Sequence, residues 1–248
     1  YRILSTDNYV PGTTFEEILD SYLFDREFRL LLFDAIERIE VAFRTQLIYQ
    51  PAMLHGPDWF ADRAFFHDHQ RWRQHLGRLD SEVDRSSETF INHFFTKYDE
   101  RTPPAWMSFE VVSLGLLSKI YQNLKPSFAP KKTIAKHFGI NEPRVFESWI
   151  RSITYVRNIC AHHSRLWNRK LTTTPIQFHN PTNLWISIQP ANYDKIYYLL
   201  CCIWYMLREV NPSSSFVARL NSMFTKYPII DPTMMGFPTG WTNDPFWA

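Results

Sequence analysis

Trp149-Ile150-Arg151-Ser152-Ile153-Thr154-Tyr155-Val156-Arg157-Asn158-Ile159-Cys160-Ala161-His162-His163-Ser164-Arg165-Leu166-Trp167-Asn168-Arg169 is the stretch that decides how this chain of 248 residues reads. With Asn158 at 0° on a helical wheel, Trp149, Val156, Cys160 and Trp167 fall between about 160° and 200°, and Ile153 lies beside them near 220°. One apolar face at helical period predicts a helix. Pro143 suits its first position, so the helix is expected to run from Pro143 to about Lys170. On the opposite side His162 falls at about 40°, Arg165 at about 340° and Arg169 at about 20°, which makes a polar stripe with Asn158. Arg157, near 260°, stands about 100° off that stripe. It can join His162 by its long side chain, by local distortion, or across a two-fold axis. His163, near 140°, is expected to lean on the core in a structural role.

The same period recurs along the rest of the chain. Thr14 ahead of Phe15-Glu16-Glu17 reads as a cap opening a helix to about Phe24, and Asp25 as the cap of a second, Glu27 to about Tyr49, ended by Pro51. Helical spacing returns from Asp58 to Asp84, Ser87 to Tyr98, Trp106 to Leu124 and Ala129 to Phe138. Leu171 to Pro190 reads as a loop or a short strand. Tyr193 to Val210 and Ser214 to Lys226 close the helical series. The predicted class is all-α: one helical domain over 1–227, then a Pro-rich extended tail over 228–248. Its aromatics Phe237, Trp241, Phe246 and Trp247 require cover from the domain or a partner.

Composition narrows the function classes. Hydrophobic residues at 45% and aromatics at 17% exclude a disordered chain. Only 7 glycines occur, and no GxGxxG or GxxxxGK[ST] is present, so a nucleotide-fold enzyme is not expected. No apolar run is long enough to span a bilayer, and no secretory leader is read, so no membrane association is expected. Three cysteines, two of them adjacent, form no disulfide framework, which points to a reducing compartment and a cytoplasmic location. The net charge of +2 hides an asymmetry. Val111 to Lys170 holds eleven basic and two acidic residues, +9, leaving −7 elsewhere. Such a chain can offer a positive face to a polyanion, although charge also varies along any helical protein.

Asn158, His162, Arg165 and Arg169 together suit a phosphate. Arginine forks onto phosphate oxygens, histidine exchanges a proton near neutral pH, and asparagine orients either. The plain alternative is a surface histidine among solvated charges. Arg151 and Lys170 add charge to the same segment. In the predicted second helix, Leu32, Ala35, Ile36, Ile39 and Phe43 share an apolar face. Glu37, Glu40 and Arg44 cluster opposite, hemmed by Leu30, Phe33, Val41 and Ile48, so they read either as an ionic support packed on something basic or as a surface pair. No metal site is expected: His162 and His163 point to different faces, and His67, His69 and His75 fit no tight helical spacing. No cofactor is read.

Arg157-Asn158-Ile159-Cys160-Ala161-His162 matches the R-x4-6-H motif of HEPN domains. The longer string Val156 to Arg169, with Leu31 to Arg44, Pro104-Ala105-Trp106-Met107-Ser108-Phe109-Glu110 and Met235-Gly236-Phe237-Pro238 before Trp241, resembles bacterial abortive-infection proteins of the AbiD/AbiF type. Tyr1-Arg2 resembles the middle of that family's N-terminal motif, so further residues are expected ahead of Tyr1. The resemblance implies a HEPN-like helical bundle with additional helices, commonly a homodimer. It implies a metal-independent endoribonuclease with Arg157, Asn158 and His162 as catalytic residues: His162 as acid/base, Arg157 stabilising the phosphorane, Asn158 positioning. Arg151, Arg165, Arg169 and Lys170 would hold RNA phosphates, and Glu37, Glu40, Arg44 and His163 would support the site. It also implies antiviral defence by a toxin-like shutdown of the infected cell, with RNA as partner, including a small non-coding RNA in some members. The alternative is an RNA-binding module that uses the same basic site without chemistry.

Overall fold

The computed structural model describes residues 12–248, and the Tyr1-Arg2 motif lies outside them. Nine α-helices are found among the described residues: α1 Phe15–His55, α2 His69–Asp84, α3 Thr89–Lys97, α4 Ala105–Ser108, α5 Leu114–Asn123, α6 Ala129–His137, α7 Pro143–Ala161, α8 Ile196–Val210 and α9 Phe216–Lys226. No strand occurs among those residues, so the fold is all-α. Residues 171–190 are an irregular loop.

Where two N-terminal helices were expected, α1 is a single helix of 41 residues, about 60 Å long at 1.5 Å per residue. It opens with a reciprocal capping box between Thr14 and Glu17. Asp25 caps nothing. It is buried inside α1, where distant backbone groups claim its carboxylate, so tertiary demand overrides the local capping preference. Pro51 does not end the helix either. It is buried one turn before the terminus, and the stop comes at Gly56, whose φ of 85° a side chain would disfavour.

α1 acts as a spine for α5, α6, α7, α8 and α9. Every residue from Ile196 to Leu207 of α8 is buried. A helix apolar all round needs cover all round. α1 and α7 supply part of it, and the rest comes from the 171–195 loop and the C-terminal segment. Trp185 packs on Tyr198 and Tyr205, and Phe237 on Tyr197 at 4.8 Å. The segment after α9 folds into 3-10 turns at Pro232–Met235, Trp241–Asn243 and Pro245–Trp247. Its Phe237, Trp241, Phe246 and Trp247 are buried, and the Trp204 indole donates to the Phe246 carbonyl at 3.0 Å.

Asp244 clamps this segment to the loop. Its carboxylate accepts from the Ser187 and Ile188 amides at 2.7 and 2.9 Å, the Ser187 hydroxyl, and the Phe246 amide at 3.1 Å. Burial alone would raise its pKa, but the hydrogen bonds outweigh burial and hold it below the ordinary value. A depressed folded pKa means stability that is present above the unfolded value and lost as pH falls through the folded one. Asp244→Asn is therefore expected to lower the thermal midpoint at pH 7 and to flatten the loss of stability below about pH 4. Thermal melts of both chains between pH 3 and 7 check this. Parallel curves would mean that the carboxylate charge plays no part.

Candidate functional site

α7 sets the site. Val145, Phe146, Trp149, Ile150, Ile153, Val156, Ile159 and Cys160 are buried against α1, α5, α6 and α8, while Arg144, Arg151 and Asn158 are exposed. The helix stops at Ala161 rather than near Lys170. Its exit is a Schellman turn: the Ser164 amide donates to the Ile159 carbonyl at 3.0 Å and the His163 amide to that of Cys160 at 3.1 Å. His163 occupies the left-handed position at φ 54°, which histidine tolerates better than bulkier residues.

The reason for the stop lies in α1. Asp25 Oδ1 accepts from the Leu166 and Trp167 amides at 2.8 and 2.6 Å, and Oδ2 pairs with Arg29 Nε at 3.1 Å. In a continued helix Leu166 would sit at about 80° from Asn158, off the apolar face. By folding back, Leu166 becomes fully buried. Apolar burial and a buried acceptor together outcompete further helical hydrogen bonds.

This corrects the straight stripe. Asn158 and His162 remain one turn apart at the exposed helix end, with the His162 amide bonded to the Asn158 carbonyl at 3.0 Å. Arg165 and Arg169 lie beyond the helix. Arg165 is exposed, and Arg169 Nη1 donates to its carbonyl at 3.0 Å. Arg169 also approaches the Tyr155 hydroxyl. Burial raises that phenol's pKa, but hydrogen bonds with Thr172 and Arg169 leave it below the ordinary value. Lys170 pairs with Asp194 at 3.0 Å. His163 does not lean on the core. It is exposed and lines a cleft of about 490 Å³ with Tyr22, Arg26, Arg29, Leu30 and Phe33 of α1. The left-handed turn swings it off the helical wheel.

Arg157 faces α1. Its Nε lies 3.6 Å from Glu40 Oε2 and its guanidinium 5.6 Å above the Phe33 ring. The other Glu40 oxygen takes Arg44 Nη2 at 3.1 Å, and Arg44 reaches the Val112 carbonyl and Glu110. Glu40 thus joins Arg44 and Arg157 beneath the helix end, while Glu37 is exposed and forms no ion pair among the described residues. Glu40→Gln is expected to cost about 2 kcal/mol in urea unfolding, since it leaves the largely buried Arg44 with only the more exposed Glu110 as charged partner. An unchanged midpoint would show that Glu110 alone suffices.

Cys160 lies within the motif but is buried, and burial, the largest influence, pushes its thiol up to about 12, which favours the protonated form at neutral pH. Among the described residues no three His, Cys, Asp or Glu side chains group as metal ligands. No helix among those residues is long and apolar enough to cross a membrane.

Two residues of this region escaped the sequence reading. Tyr155 falls near 60° on the wheel, beside His162, so a signal was present. Asp25 reads as a cap along the chain. Its i,i+4 pairing with Arg29 is local, but its hold on the Leu166 and Trp167 amides carries no local signal, because those lie about 140 residues away.

No curated protein and no solved structure matches the chain. A family model described as Abi-like protein matches residues 1–168, which include α1 and the whole Arg157–His162 segment. A match over more than half of its length means that the chain belongs to the Abi-like protein family, whose name points to abortive infection, a phage-defence response.

Proposed function

We propose that this phage-defence protein acts on RNA as a HEPN endoribonuclease of the AbiD/AbiF type that needs no metal. The observation that carries the reading is the helix end itself. Asn158 and His162 are solvent-accessible one turn apart, and the neighbouring Arg157 is braced from behind by Glu40 and Phe33. His162 takes the proton of an RNA 2′-hydroxyl as the 2′-oxygen bonds to phosphorus and the P–O5′ bond breaks. A protonated His162 of a second protomer gives the 5′-oxygen its proton, so the products are a 2′,3′-cyclic phosphate and a 5′-hydroxyl. Arg157 neutralises charge on the phosphorane, and Asn158 orients the phosphate. Arg151, Arg165 and Arg169 steer the backbone, and Lys170, tied to Asp194, contributes field rather than contact. In this reading the protein works as a homodimer and shuts down the infected cell as a toxin.

The test is incubation of the purified protein with end-labelled RNA and excess chelator. Fragments ending in cyclic phosphate support the reading. Fragments that appear only with added divalent metal would replace it with metal-assisted hydrolysis. A second reading, RNA held without chemistry, is favoured by the +9 charge of Val111 to Lys170. It predicts intact RNA that co-purifies and is released by salt.

A further inference from the structure

α5 packs between α2 and α7 and buries all of its residues except Gly115, Lys119 and Gln122, which follow one another along a single exposed strip. Two clefts adjoin along this strip and share Gln122. The cleft towards α2, about 330 Å³, is lined by Arg71, His75, Arg78 and Lys119. The cleft towards α7, about 230 Å³, is lined by Arg144 and Arg151.

We propose that these joined clefts form a second polyanion site, a track that grips the phosphodiester backbone of single-stranded RNA and delivers it along α7 to the helix end that carries Asn158 and His162. The inference rests on RNA being the ligand of this protein, and it concerns residues of α2 and α5 that lie apart from the Arg157–His162 segment.

Charge balance is the first support. Arg78, Lys119, Arg144 and Arg151 have no ion-pair partner among the described residues. One acid lines the clefts, Glu147, and it is matched by the buried Lys131 at 2.6 Å; Asp68, beyond the lining, pairs with Arg71 at 3.2 Å. Like charges crowded into a cleft repel, and an anion relieves that repulsion. His75 senses this field. Burial lowers its pKa most, followed by Lys119, Arg71 and Arg78, and its buried Nδ1 has no hydrogen-bond partner among the described residues.

Rigidity is the second support. The start of α2 is pinned to the end of α5, because Asn123 donates to the Asp68 carbonyl at 2.8 Å and accepts from the Asp68 amide at 3.1 Å. Gln122 is held by Ser118 and Lys131. The helices that carry the cations are therefore fixed relative to one another before a ligand arrives, so binding need order only the side chains. Continuity is the third. Arg144, Arg151 and Asn158 recur every seven residues on one exposed face of α7, and His162 follows one turn later. From Arg144 to His162 this face is about 27 Å long.

The experiment measures binding of a fluorescent 2′-O-methyl oligouridine of about 20 nucleotides, which has no 2′-hydroxyl to react, across a salt series. Each phosphate contact on a single strand contributes about 0.7 to the slope of log affinity against log salt. The Arg78→Gln/Lys119→Gln variant is expected to lower that slope by about 1.4 and to weaken binding at 0.1 M salt about tenfold. Both side chains are exposed, so the thermal midpoint should hold, while Arg73→Gln on the same helix but outside the clefts should leave the slope unchanged. An unchanged slope in the double variant, an equal fall in Arg73→Gln, or no binding by the wild type overturns the track. A lowered slope in a protein that cuts no RNA supports the track while defeating the nuclease reading. Cleavage with an unchanged slope does the reverse.

Discussion

His162→Ala is expected to lower RNA cleavage by about 10²–10⁴-fold, the usual worth of a positioned acid or base. In the proposed mechanism the imidazole serves as base in one protomer and acid in the other, so the larger end of that range applies. Stability should not move with it. The His162 side chain is exposed at the C-cap, and its structural part, the amide bond to the Asn158 carbonyl, is kept by alanine. Arg157→Ala should cost about 10²–10³-fold through loss of charge stabilisation, with a small change in midpoint because Glu40 keeps Arg44. Single-turnover cleavage of labelled RNA, paired with thermal melts, separates the two effects. Full activity in His162→Ala would remove that residue from the chemistry. Equal losses of activity and folding would reassign it to structure.

The second large effect is expected from a residue that touches no substrate. Asp25→Ala removes an acceptor from two backbone amides and leaves Arg29 buried without its partner. Breaking a buried pair typically costs about 3–5 kcal/mol. For a chain of this size that corresponds to a fall of roughly 10 °C in the thermal midpoint. The loss should extend to activity even below the new midpoint, because the turn that ends α7 and presents His162 is held by the same carboxylate. Asp25→Asn keeps an acceptor for the amides but not the charge facing Arg29, so it should fall between the two. An Asp25→Ala chain as stable as the wild type would show that Leu166 burial and the Schellman turn hold the exit without help.

Both expectations depend on how α7 ends, and that ending divides what was legible in the sequence from what was not. The apolar period placed Trp149, Ile153, Val156 and Cys160 on a buried face, and all four are buried. It did so because a 3.6-residue repeat is a property of neighbours along the chain. The boundary could not be read the same way. Nothing near Ala161 forbids another two turns of helix; the competing bonds come from Asp25. The same logic joins Glu40 to Arg157 across the α1–α7 contact, and leaves Glu37, three residues away, in solvent.

Helicity, an aromatic-rich core and positive charge gathered around one segment with an RNxxxH pattern are all legible along the chain. Those are consequences of composition and short-range order. The continuity of α1 through Asp25 and Pro51, and the stop of α7 at Ala161, follow instead from long-range packing. The same holds for His163 facing a cleft, and for α2 and α5 bringing beside α7 further cations that have no ion-pair partner among the described residues. Each of these depends on groups far apart in the chain, where burial and electrostatic pairing outweigh local propensity.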